Sequence, residues 1–130
     1  MPKKPDWLFR QSAVVPFFGE HIVVITSKKK KRWVLPKGVV SLGMSPGESA
    51  GQEAFEEAGL VGTLRPDPIG RYAYQKWGGC CTVTLFVMDV VQLLDAWPEA
   101  HLRERELVSP EEAAARMREP ELKQILMRFK

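Results

Sequence analysis

Ser45-Pro46-Gly47-Glu48-Ser49-Ala50-Gly51-Gln52-Glu53-Ala54-Phe55-Glu56-Glu57-Ala58-Gly59 is the stretch from which the rest of the chain is read. Ser45 is a good N-cap, Pro46 suits the first helical position, and Glu48 completes a capping box. Gly59 is a good stop residue, so the spacing predicts a helix from Ser45 to about Ala58. At about 100° per residue, Ala50, Ala54, Phe55 and Ala58 fall on one side, which can pack on a sheet. Glu53, Glu56 and Glu57 fall on another, spaced i, i+3, i+4. Each like-charged pair at that spacing costs ~0.2–0.5 kcal/mol. Glu56 and Glu57 also sit in the last turn, where the helix dipole disfavours an anion by ~0.3–1 kcal/mol. No Lys or Arg lies within Gly47 to Leu60 to relieve this. An acidic face left to solvent is the ordinary alternative. The chemical reading is a hard divalent cation with oxygen ligands, Mg²⁺ or Mn²⁺.

Outward from this helix, Ala13 to Phe18 and Ile22 to Thr26 are apolar and β-branched and flank Gly19-Glu20, which predicts a hairpin. Trp33-Val34-Leu35 is a short strand ended by Pro36, and Lys37 to Met44 reads as a glycine-punctuated loop. Arg71 to Trp77 and Cys81 to Leu93 read as strands joined at Gly78-Gly79, followed by a loop from Leu94 to Leu102 and a short strand from Arg105 to Val108. Ser109-Pro110-Glu111-Glu112 is a second capping box opening a helix to about Met117. Pro120 opens a last helix with Leu122, Ile125, Leu126 and Phe129 on one face. Strands, helix, strands, helix is the order of an α/β or α+β domain: a mixed sheet with helices packed on it.

The chain has 130 residues, 45% apolar and 27% charged, which fits one compact domain. Residues 1–10 are expected to be a flexible lead-in and 11–130 a single domain. No run approaches the ~20 apolar residues that span a bilayer, and no apolar core follows the basic N-terminus, so no membrane partner and a cytoplasmic location are expected. Cys80 and Cys81 are neighbours in a strand and point to opposite faces, so no bond between them is expected. The net charge of +3 leans toward anionic partners without the basic bias of a nucleic-acid binder. Lys28 to Arg32 fits a solvated hairpin tip, or a clamp for polyphosphate. Trp33 beside it is expected in the core.

Leu35-Pro36-Lys37-Gly38 through Glu53-Ala54-Phe55-Glu56-Glu57-Ala58-Gly59-Leu60 resembles the Nudix box. Gly38 takes the first glycine; Glu53, Glu56 and Glu57 take the acidic positions; Ala54, Gly59 and Leu60 take the apolar and glycine positions. Two positions depart: Met44 stands where the box has glutamate and Gln52 where it has arginine. Both charges of a supporting pair are gone, so neither leaves an unpaired partner. Leu94-Asp95-Ala96-Trp97-Pro98-Glu99, Arg103-Glu104-Arg105-Glu106 and Ser109 to Ala114 are similar to the diphosphoinositol polyphosphate phosphohydrolase branch.

The resemblance implies a Nudix α/β/α sandwich and metal-dependent hydrolysis of a phosphoanhydride. The substrate would be a small phosphorylated molecule: a nucleoside diphosphate derivative, a dinucleoside polyphosphate or a diphosphoinositol polyphosphate. It implies Glu56 and Glu57 as direct metal ligands, Glu53 as ligand or orienter of the water, and the Gly38 carbonyl as a further ligand. Lys37, Arg71, Arg103 and Arg105 are the candidates for holding the other phosphates, each with an ordinary surface ion pair as its alternative. Glu53, Glu99, Glu104 and Glu106 are all open as general base. A binding module that has lost catalysis, motivated by Met44 and Gln52, competes with the enzyme. A nucleic-acid-binding domain, motivated by Lys28 to Arg32, lacks interleaved aromatics and ranks last. Monomer and homodimer are both open.

Overall fold

The computed structural model describes residues 4–130. Its eight strands are β1 (Arg10–Phe18), β2 (His21–Thr26), β3 (Trp33–Val34), β4 (Lys37–Val39), β5 (Leu60–Leu64), β6 (Gly70–Lys76), β7 (Gly79–Leu93) and β8 (Arg105–Val108). The helices are α1 (Pro46–Ala58), α2 (Pro110–Arg116) and α3 (Pro120–Met127). β1 is the axis of one mixed sheet ordered β3-β2-β1-β7-β5, with β4 also on β1, β6 on β7 and β8 on β2. It runs parallel to β7 from Arg10↔Thr82 to Phe17↔Asp89 and antiparallel to β2 and β4.

Gln11 to Pro16 are buried without interruption because both faces of the sheet are covered. Val14, Val23, Ile25, Phe86 and Met88 face α1, whose Ala50, Ala54 and Ala58 are fully buried against them. Ala13, Val15, Val24, Val83 and Leu85 face α2 and α3, which contribute Ala113, Ala114, Leu122, Ile125 and Leu126. This is the expected mixed sheet between helices. The alanine stripe lets α1 approach closely, and that approach places its glutamates at the edge formed by β4.

Several local expectations change. Phe55 is 44% exposed, because Ala50, Ala54 and Ala58 alone set the buried stripe and Phe55 lies at its margin. Lys37 to Val39 is a strand, its backbone paired to Gln11, Ser12 and Ala13. β5 follows α1 directly and pairs with the second half of β7. The β6–β7 turn is Trp77-Gly78, with Lys76 opposite Gly79. Both turn residues have positive φ, 57° and 72°, as a two-residue hairpin with this twist demands. The indole packs edge-on against Phe9 at 6.2 Å. Of the lead-in, residues 1–3 lie outside the described residues, Asp6–Phe9 form a 3₁₀ turn and Arg10 opens β1. Cys81 is buried, Cys80 exposed, and both are free thiols.

Candidate active site

The capping box that starts α1 is complete: Ser45 Oγ accepts from the Glu48 N–H at 3.1 Å and Glu48 Oε1 accepts from the Ser45 N–H at 2.9 Å. With its start held there and its alanine stripe on the sheet, α1 has one rotation available, and that rotation turns Glu53 and Glu57 toward β4. Gly38 is glycine for a visible reason. A Cβ at Gly38 would stand 2.5 Å from Glu53 Cδ and 2.6 Å from its Oε1. Gly38→Ala is therefore expected to displace the Glu53 carboxylate, lowering turnover more than about tenfold while unfolding free energy moves by less than about 1 kcal/mol. Steady-state kinetics and urea unfolding check this; equal damage to both would mean that Gly38 matters only to the fold.

Glu57 is buried at 8% exposure, and its Oε1 accepts from the Lys37 backbone N–H at 3.2 Å. Burial pushes its carboxyl up to about 8, and a hydrogen bond with Glu53 pushes the same way against the nearby Arg103 charge. Burial also raises Glu53, opposed by that hydrogen bond and reinforced by the charges of Glu56 and Glu99. Both carboxyls thus stand above the ordinary carboxylate range, Glu57 the further of the two by burial. Glu56 is tied elsewhere: its Oε1 accepts from Gln52 Nε2 at 2.9 Å. Among the described residues, no three acidic, imidazole or thiol side chains already converge on one point. The donor chemistry nonetheless fits a hard divalent cation: oxygens only, with a partly buried carboxyl pair that a positive charge would relieve of its proton.

The four basic candidates go to different places. Lys37 points to the opposite face from Gly38, as neighbours on a strand must. Its Nζ donates to Tyr74 Oη at 3.1 Å, Tyr74 Oη donates to Gln11 Oε1 at 2.7 Å, and burial lowers the ammonium from its ordinary value. Arg103, 8% exposed, joins the carboxylates. Its Nη2 donates to Glu99 Oε1 at 2.8 Å, its Nη1 to the Thr26 carbonyl at 2.9 Å, and it stands 3.7 Å from Glu57 Oε1. Arg105 Nη1 donates to the Ala58 carbonyl at 2.8 Å. Both guanidinium groups are thus engaged within the protein.

Arg71 is exposed on β6 and lines a cleft of about 460 Å³ together with Arg10, Thr82, Thr84 and the Val40–Met44 loop. No carboxylate lines that cleft. Gly38, Ser12, Thr84 and Arg71 form one cross-strand row, so the cleft and the Glu53 contact share a face of the sheet. Arg10 was invisible as a site residue in the sequence, since it sits alone ahead of an apolar strand. Of the possible bases, Glu99 holds Arg103 and Glu106 accepts from Arg116 at 3.1 Å. In the basic run, Arg32 pairs with Glu119 at 3.3 Å while Lys28 to Lys31 are exposed. Trp33 is half-buried under the Arg116 guanidinium.

Fold and site together define an α/β/α sandwich that presents a glutamate-bearing helix to a glycine on its sheet edge. The chain belongs to the Nudix family: the NUDIX domain model matches residues 8–129. It is 33% identical over 102 residues to Nudix hydrolase 13, mitochondrial, of Arabidopsis thaliana, covering 71% of this chain and 50% of that protein. It is 34% identical over 107 residues to Nudix hydrolase 18, mitochondrial, of the same plant, covering 81% and 60%. Diphosphoinositol polyphosphate phosphohydrolase 3-beta of Bos taurus is 28% identical over 100 residues, covering 74% and 60%. The chain spans about half the length of the curated relatives it matches. Among solved structures, a C. elegans Ap4A hydrolase binary complex superposes with a TM-score of 0.74 at 19% identity, over 93% of this chain and 94% of that one. A NUDIX hydrolase from Nitrosomonas europaea gives 0.72 at 18%, over 91% and 85%. At these identities the structural likeness speaks for the fold alone.

Proposed function

We propose that the protein hydrolyses a phosphoanhydride bond in a small polyphosphate, using Mg²⁺ or Mn²⁺ held by Glu53, Glu56 and Glu57 with Gly38 beside them. The observation that carries this reading is the Glu53–Glu57 pair: two interacting carboxyls on one helix face, Glu57 buried and Glu53 packed on a glycine that leaves it room. A divalent metal bound there supplies charge neutralisation of the phosphates and a water of lowered pKa. The protein's own work is positioning. Lys37 N–H and Arg103 orient Glu57; Gly38 admits Glu53; Arg10 and Arg71 take the phosphates that do not react. Water adds to phosphorus as the bridging P–O bond breaks, the bridging oxygen leaves with the bonding pair, and the water's proton passes to a carboxylate of the cluster.

The test is release of orthophosphate or a nucleotide from a panel of nucleoside diphosphate derivatives, dinucleoside polyphosphates and diphosphoinositol polyphosphates, with and without chelator. Release that persists in excess chelator would contradict metal dependence. Arg10→Ala and Arg71→Ala are expected to raise KM about tenfold each, the scale of one lost charged hydrogen bond, with kcat within about twofold. An unchanged KM in both variants would remove the cleft from the substrate path. The second reading, a binding module, is favoured by one contact: Gln52 holds Glu56 away from the pair. It expects calorimetric binding of the same compounds with no turnover, and Gln52→Arg with Met44→Glu to bring turnover back.

A further inference from the structure

We infer that Trp97 and Arg105 are positioning residues that act on the glutamates through the last turn of α1, an inference that rests on the hydrolase reading above. A helix end leaves four carbonyls without partners, and here those carbonyls belong to the turn that carries Glu56 and Glu57. Every one of them is met. The Gly59 N–H, on a left-handed residue with φ 64°, donates to Phe55 O at 3.0 Å. The Glu99 N–H donates to Glu56 O at 3.0 Å. Trp97 Nε1 donates to Glu57 O at 2.9 Å and Arg105 Nη1 to Ala58 O at 2.8 Å.

Stopping the helix does not require this much. Gly59 alone reverses the chain, and water can serve the carbonyls that remain at a helix end. Three of the four donors come from the Trp97–Arg105 segment instead, two of them from side chains. The indole lies flat against Gly59, where a Cβ would stand 2.8 Å from the ring, and the Arg105 guanidinium lies over the ring at 4.2 Å. Arg105 also brings a positive charge to a helix end that has no basic residue in its last turn. The same segment grips the side chains: Glu99 holds Arg103, which stands against Glu57. Neither Trp97 nor Arg105 lines the Arg10–Arg71 cleft, so their route to the chemistry is through α1. Like charge on Glu53, Glu56 and Glu57 works to open this turn, and the capping segment holds its backbone closed.

The experiment uses the full chain and Mn²⁺ alone as probe, titrated by calorimetry and by loss of the free-ion paramagnetic signal, alongside kcat and KM. All proteins are measured well below their own melting temperatures. Trp97→Phe keeps a ring on Gly59 and removes the indole N–H. Its Mn²⁺ dissociation constant is expected to rise about tenfold and kcat to fall about tenfold, the scale for partners of metal ligands, with KM unchanged. Arg105→Ala is expected to do the same and Arg105→Lys, which returns the charge, to recover part of the loss. A merely structural role would lower the melting temperature and leave Mn²⁺ affinity and kcat within about twofold; that result in Trp97→Phe and Arg105→Ala overturns the proposal. Should Trp97→Phe fail to fold, Arg105→Ala decides by the same thresholds. Glu57→Gln is the control. If it too binds Mn²⁺ like the parent, the metal reading has failed; if it loses Mn²⁺ while both capping variants do not, positioning alone has failed.

Discussion

Glu57→Gln is expected to lower turnover by more than about a hundredfold while making the metal-free protein less sensitive to alkali. Outer partners of metal ligands cost 10–100-fold when lost, so a direct ligand exceeds roughly the upper figure. The stability effect has the opposite sign and follows from burial. The Glu57 carboxyl is pushed from the usual 4.5 up to about 8 in the folded chain. A group raised in this way stabilises the fold fully below its unfolded value, and that contribution is lost as pH climbs through the folded value. Metal-free parent protein should therefore lose stability between about pH 4.5 and pH 8. Glutamine keeps an oxygen for the Lys37 N–H and does not titrate, so its profile should be flatter across that window. Metal binding to the parent near neutrality should release a proton, and binding to Glu57→Gln should not. Urea midpoints of chelator-treated protein at several pH values, with calorimetry in buffers of different ionisation enthalpy, give both answers. Parallel stability profiles for the two proteins would refute the assignment of the raised carboxyl to Glu57.

Arg103→Ala is expected to cost about 3–5 kcal/mol of stability, the range for removing one partner from a buried ionic cluster. The side chain is 6% exposed and serves three partners at once: Glu99, Glu57 and the Thr26 carbonyl. Its loss leaves the Glu99 carboxylate and the Thr26 carbonyl without this donor, and Glu57 without its neighbouring positive charge. Glu57 would be driven further up, because Arg103 is the nearest charge pulling it down. Metal affinity near neutrality should then fall along with stability. Arg103→Lys supplies charge without the planar fork, so it should recover less than half of the loss. Denaturant unfolding decides the matter, and a change below about 1 kcal/mol in Arg103→Ala would show that the cluster is solvated and weak.

Much of α1 was legible because its signals are local. Ser45, Pro46, Glu48 and Gly59 delimit the helix within a residue, and i, i+3, i+4 spacing singles out three glutamates from the chain's 16 acidic residues. What each glutamate meets was not legible. Burial of Glu57 depends on Arg103, Lys37 and the sheet edge, which lie far away in the sequence. Gln52 looked like the neutral half of a deleted ion pair, and the structure gives it a partner of its own in Glu56. β4 hid among glycines because its pairing is made by backbone groups, which side-chain patterning cannot report. β5 hid because Gly62 interrupts its alternation at a register shift. The Trp97 and Arg105 motif stood out on the page, but only the folded chain reveals that it closes a helix end.

The parallel pairing of β1 with β7 also governs how the chain can be made. Gln11 and Cys81, which meet across that pairing, are 70 residues apart. At ribosomal speeds of about 5–20 residues per second, one flank of β1 waits roughly 4–14 s for its neighbour to be synthesised. During that interval an apolar strand has hydrogen-bonding groups free to accept any passing strand, including one from another nascent copy. The lysines of the β2–β3 turn emerge within this window and give every unfinished chain the same sign of charge, so neighbouring copies repel until the sheet can close on itself.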